Sequence, residues 1–229
     1  MEKGREMKKL LFIILFLVLL TACSPSHVVI DWVDFMLING KHYTGSQQLV
    51  ISKQTLVKEK IGEVTFEVNE HVKNPKYKIK EGDAAYLSKG TDVYSIEGYP
   101  DHSIVAVKDK TKIHGYKLYR TDNAEPLDVK TMDKVQRIEV YMSDGAKPMK
   151  QLKILTGEEV KQFLKILEAG TVNSAYKPNT SNDPQMFDFV CYTAAPIAYR
   201  DTVFFDGKVY YWYSSGLTII DDGIVNYLK

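Results

Sequence analysis

The sequence predicts an α+β fold. An N-terminal all-β domain, barrel-like or sandwich-like, is expected over residues 28–120, then a linker at 121–131, then a smaller antiparallel sheet with one packed helix at 132–229. Three observations carry this expectation. Up to Arg120 the chain is a succession of short apolar-polar alternations broken by turn dipeptides, with no sustained helical period. The polar stretch Thr121-Asp122-Asn123-Ala124-Glu125-Pro126 then interrupts the pattern, and beyond it a single amphipathic helix is marked after Thr156. With 229 residues, 45% hydrophobic and 26% charged, the composition is that of a globular protein.

The first 22 residues read as an export signal rather than as part of the fold. Lys3, Arg5, Lys8 and Lys9 precede an unbroken apolar run from Leu10 to Leu20. As a helix that run spans roughly 17 Å, well short of the roughly 30 Å hydrocarbon core of a bilayer. Leu20-Thr21-Ala22-Cys23 follows at once: a branched apolar residue, two small residues and a cysteine. This stretch resembles the lipobox of bacterial lipoproteins at all four positions. The resemblance implies cleavage between Ala22 and Cys23 and attachment of a diacylglycerol thioether to Cys23, with further acylation (a palmitate-type anchor) at the new amino terminus. Two or more acyl chains give stable anchoring where one is marginal. Lys outnumbers Arg 26 to 4, and with the lipobox the chain resembles small lipoproteins of Bacillus-like Gram-positive bacteria. The implied location is the extracytoplasmic face of the cell membrane.

The tether is short. Between Cys23 and the apolar run that begins at Val28 stand only Ser24-Pro25-Ser26, a reach of about 10 Å, and His27. A domain held so low is expected to meet its partner or ligand at the bilayer surface. Loss of residues 1–22 removes four basic and two acidic side chains, leaving 26 Lys plus Arg and 27 Asp plus Glu. So balanced a chain has no excess of cations to neutralise phosphates, and a nucleic-acid role loses its electrostatic basis. Cys191, without Cys23 as a partner, is expected to be a small buried thiol in a strand.

Within the first domain, Asn39-Gly40 between Leu37-Ile38 and Lys41-His42-Tyr43 is a hairpin signal, because both central positions of such a turn take positive φ. Residues 63–68 alternate Glu, Val, Thr, Phe, Glu, Val, which gives one apolar and one wet face. Further strands are expected at 84–87, 93–96, 103–107 and 113–119.

In the second domain Ile138, Val140 and Met142 alternate with Arg137, Glu139 and Tyr141, Asp144-Gly145 turns the chain, and Leu152 and Ile154 resume the alternation. Thr156 and Glu159 have the spacing of a capping box, with Leu155 and Val160 as the hydrophobic staple. Val160, Phe163, Leu164 and Leu167 then form a core-facing stripe that ends at Gly170. Strands are expected at 187–193, 197–205, 208–213 and 217–220, with Asp222 capping a short last helix.

No established catalytic signature is found. Ser174-Ala175-Tyr176-Lys177 matches Ser-x-x-Lys, but Pro178 disfavours helical geometry at Lys177, and no Lys-Thr-Gly or Ser-Asp-Asn partner is present. The five histidines lack the close spacing of metal ligands, so no catalytic residue, metal site or cofactor is assigned. A pair of carboxylates leaves little trace in a sequence, and Asp183, Asp188, Asp201, Glu158 and Glu159 are available for one.

Two features suggest a contact surface. In Val209-Tyr210-Tyr211-Trp212-Tyr213, a strand puts Tyr210 and Trp212 on one face and Val209, Tyr211 and Tyr213 on the other. One face packs on the helix, and the other is either an aromatic platform or ordinary cross-strand packing. The polar connection over residues 170–186, with Tyr176, Asn179 and Asp183, is long enough for a binding loop or a plain surface loop. Tyr210, Trp212, Tyr176, Asn179 and Asp183 are therefore the expected contact residues. The function expected is a non-enzymatic binding or interaction module of the cell envelope, anchored by its lipid and meeting an envelope protein or glycan. The alternative is an envelope hydrolase using a carboxylate pair.

Overall fold

The structure, a computed structural model, describes residues 30–124, 133–143 and 149–229. The lipobox, the tether, most of the expected linker and the Asp144-Gly145 turn lie outside those residues. The chain divides into two compact units. Of the first, residues 30–31 and 71–77 are described. There Asn74 closes a turn, its side chain accepting from Lys76 N–H and its carbonyl from Tyr77 N–H, both at 3.0 Å. The second unit, residues 32–70 and 78–229, carries the sheets.

Its strands are β1 (Phe35–Ile38), β2 (Lys41–Ser46), β3 (Leu49–Ile51), β4 (Val57–Glu63), β5 (Phe66–Glu67), β6 (Asp83–Ala84), β7 (Asp92–Ile96), β8 (Ile104–Lys108) and β9 (Tyr116–Arg120). Then come β10 (Arg137–Ser143), β11 (Lys150–Thr156), β12 (Thr171–Val172), β13 (Gln185–Tyr192), β14 (Ile197–Phe205), β15 (Tyr210–Tyr213) and β16 (Leu217–Ile220). The helices are α1 (Val68–His71), α2 (Glu158–Glu168) and α3 (Val225–Leu228). The fold is α+β and mainly β.

A curled first sheet runs β4-β7-β8-β9-β2-β1-β6-β5, and a second runs β11-β10-β13-β14-β15-β16-β12 with β3 pairing β14 off that path. The Asn39-Gly40 hairpin is present, with φ of 53° and 70°. The alternation at 63–68 is divided between β4, β5 and α1, with Val64 and Val68 buried.

Strand β3 joins the second sheet by setting Leu49, Val50 and Ile51 opposite Tyr199, Ala198 and Ile197. Its alternating side chains enter two clusters. Leu49 and Ile51 pack with Ile96, Ile104 and Leu118, while Val50 packs with Ile113, Tyr141, Val190 and Tyr192. Residues from both sides of the 121–131 segment thus share apolar clusters. Burying these faces is the main favourable term, at about 25 cal/mol per Å².

The helical stripe Val160, Phe163, Leu164 and Leu167 is buried as its spacing predicts, with Phe163 edge-on to Phe189 at 5.2 Å. The cap differs. Thr156 is the last residue of β11, opposite Arg137, so its extended backbone is held by strand pairing. Gly157 is the N-cap, at φ 54° and ψ −119°, with no side-chain cap bond. A Cβ disfavours that conformation, which explains the glycine at the strand-to-helix reversal. A bulge opposite Val140/Tyr141 shifts the phase of β11. It brings Leu152 and Leu155 to the core and leaves Ile154 about half exposed, against the expectation that Leu152 and Ile154 share a buried face. At the C-terminus Asp221, not Asp222, caps the 3-10 turn over Asp222–Ile224 that leads into α3, accepting from Gly223 N–H at 2.7 Å. Among the described residues no helix is long and apolar enough to cross a membrane.

Candidate functional site

The expected contact residues separate into three environments. Tyr210 and Trp212 are core residues, 5% and 6% exposed, which corrects their assignment to a contact surface. Tyr210 lies opposite Phe205 and Trp212 opposite Val203. That side of the sheet also carries Phe187 and Phe189 beneath α2, so the apolar face claims both rings. The opposite side holds Tyr211, stacked on Phe204 at 5.3 Å, and Tyr213, 54% exposed.

Tyr176 and Asn179 converge instead on Asp206. One carboxylate oxygen accepts from Tyr176 hydroxyl at 2.7 Å and Asn179 N–H at 3.0 Å, the other from Lys208 and Val209 N–H, both at 3.0 Å. Burial pushes the Asp206 carboxyl up, but these bonds outweigh it and hold the group well below the usual carboxylate range. The same hydrogen bond from Tyr176 raises its phenol to about 12. The connection at 170–186 is thereby latched to the β14–β15 turn, while Asp183 stays exposed. Its first residues form β12, paired with β16.

Of the carboxylates considered as a catalytic pair, Asp188 and Asp201 lie on adjacent strands but on opposite faces of the sheet. Glu158 bonds Gln162 and Lys161 on α2, and Glu159 meets Lys153. Asp188 is fully buried and accepts from Arg200 at 2.8 Å and Thr202 hydroxyl at 2.6 Å. Asp201 faces the helix side, where burial, followed by the charge of Asp188, raises its carboxyl. Cys191 sits on that side too, its thiol pushed up to about 12 by burial and then by Asp201.

The densest chemistry lies on the other face of β10 and β13, at residues not singled out in the sequence. Arg137, Glu139 and Tyr141 alternate along one side of β10. Glu139 is buried and accepts from Tyr141 hydroxyl at 2.5 Å and Tyr192 hydroxyl at 2.8 Å. Its other oxygen is 3.1 Å from the Arg137 guanidinium, which lies over the Tyr192 ring at 4.2 Å. Burial, then the hydrogen bond to Glu139, raises both phenols well above their ordinary range. His114, at φ 57°, is held by a 2.7 Å contact between Nδ1 and the Ile51 carbonyl, and brings Nε2 to 3.8 Å from Glu139. A buried carboxylate is costly unless paired and hydrogen-bonded, and here the cation and two hydroxyls meet that requirement.

Arg137 and Tyr192 also line an open cleft of about 520 Å³, within the roughly 300–1,000 Å³ common for small-ligand sites. Ser52 and Lys53 follow β3 on one side, and residues 193–196 between β13 and β14 form another wall. Ser52 N–H donates to the Pro196 carbonyl at 2.9 Å and Gln136 N–H to the Tyr192 carbonyl at 2.8 Å, fixing the walls. Gly98, at φ 91°, lets Pro196 approach: a Cβ there would come within 2.9 Å of the proline ring. A second concavity, of about 380 Å³, contains Lys41, whose ammonium already donates to the Asp101 carbonyl. The first cleft presents a guanidinium fixed on two sides and still over a third exposed.

Comparison with protein families, with curated proteins and with solved structures finds no match to this chain.

Proposed function

We propose that this chain is a lipid-anchored, extracytoplasmic binding module of the cell envelope, with the cleft at Ser52, Arg137 and residues 192–196 as its ligand seat. The observation that carries the binding reading is the fixed guanidinium in the cleft. Arg137 is oriented by Glu139 and Tyr192, two groups that are themselves locked by burial and hydrogen bonds. Preorganisation of this kind lowers the ordering cost of binding. The lipobox ending at Cys23 supports the anchor, and the short tether supports a ligand close to the bilayer.

Ala194 is exposed in the cleft wall, so Ala194→Trp fills the space without disturbing the core. Native mass spectrometry of the chain released from its own membranes should show a bound adduct that this variant lacks. An equal adduct in Ala194→Trp would remove the cleft as the seat. For the anchor, Cys23→Ala should abolish fatty-acid labelling; a wild-type chain carrying no lipid would refute it.

A further inference from the structure

We infer that the cleft takes an oxyanion, a carboxylate or a phosphate borne by a small ligand, seated on Arg137 with Lys53 at the rim. The inference rests on the cleft being the ligand seat and adds the chemistry of what fills it.

Among the described residues, the charged side chains that line the cleft or pair with one that does are Lys53, Lys58 and Arg137 against Glu97 and Glu139. Glu97 is tied to Lys58 at 2.7 Å, and Glu139 to Arg137 and two phenols. Lys53 is then the unbalanced charge, and the cleft is locally cationic in a chain whose overall charge is close to neutral. Arg137 Nε is buried and has no hydrogen-bond partner. That is a cost the buried atom keeps; what faces a ligand is the exposed part of the side chain, 38% of which reaches solvent, and the planar donor fork of a guanidinium suits an oxyanion. Tyr192 stacking fixes the plane of that fork, so an incoming anion meets a preset geometry. Ser52, Gln136 and Thr193 complete the walls with neutral hydrogen-bonding groups, which suit a polar ligand better than a purely apolar one.

The chain has four arginines, Arg5, Arg120, Arg137 and Arg200, so the full chain in detergent micelles, labelled with ¹⁵N only at arginine, reports the site against built-in controls. Titration with succinate or inorganic phosphate should move the Arg137 Nε–Hε signal saturably while Arg120 and Arg200 stay in place. Sodium chloride at equal ionic strength and the neutral isostere succinamide should leave it unmoved. A response to succinate alone identifies the group as carboxylate, and to phosphate alone as phosphoryl. Lys53→Gln should weaken the response by about two- to five-fold, the scale of one exposed charge contact.

The inference is overturned if neither anion moves Arg137, if succinamide moves it equally, or if Lys53→Gln leaves the midpoint unchanged. Where the anions fail but Ala194→Trp still removes the native adduct, the oxyanion is wrong and the seat survives. Where both experiments fail, both readings fall.

Discussion

Asp206 accepts four hydrogen bonds through two oxygens and so ties a long polar connection to a hairpin turn. Its carboxyl is held below the usual range, so the stability it contributes is fully present above the unfolded-state value near pH 4. It is lost as pH falls from about 4 toward the lower folded-state value. Asp206→Asn should therefore flatten the stability profile below pH 4 in acid titrations followed by circular dichroism. Asp206→Ala should cost about 2 kcal/mol in urea unfolding and speed amide exchange over residues 170–186. Unchanged exchange there would mean the latch holds nothing. Cys191 gives a second residue-level expectation. With its pKa near 12, the thiolate fraction at pH 7 is about a thousandfold below that of an ordinary cysteine. Iodoacetamide should label it slowly in the native chain and rapidly in urea. The sequence already pointed to a packed, unreactive thiol, because a short apolar strand flanks it. It gave no sign of Asp206, whose partners Tyr176 and Asn179 lie about thirty residues away and meet it only through the fold.

The start of α2 separates two accounts of one element. A capping box makes Thr156 the stabilising residue, at about 1 kcal/mol. The observed cap puts the constraint on Gly157, whose φ of 54° and ψ of −119° a side chain disfavours. Gly157→Ala should cost about 1–3 kcal/mol and Thr156→Ala under about 0.5 kcal/mol, measured by chemical denaturation. The reverse order would restore the capping box. The helix itself was legible because its buried stripe depends only on spacing within one element. Its cap was not, because pairing with Arg137 decides the backbone of Thr156. The bulge in β11 hid the exposure of Ile154 for the same reason: strict alternation assumes an uninterrupted ladder.

On the scale of the whole molecule, the sequence conveyed the class of fold and most strand positions, because hydrophobic alternation and turn residues are local signals. It did not convey how the second face of β10 is covered. Arg137, Glu139 and Tyr141 alternate with the apolar row of β10, yet Val50, Ile113 and His114 from far up the chain pack near that face. Strand β3, three residues long, makes the connection by pairing with β14, and so short an apolar run carries no periodicity of its own. The candidate site is thus a product of long-range assembly, and its ligand-facing residues are read only once the sheets are in place. Tyr210 and Trp212 show the converse. Their aromatic density was visible, but alternation alone could not say which face α2 covers.

Photocrosslinking in living cells from position 194, with position 110, on an exposed residue outside the cleft, as the control, tests whether the cleft is the ligand seat. The cleft as ligand seat predicts a membrane-fraction adduct from position 194 and none from 110. No adduct at 194, or equal yields at both positions, would contradict it.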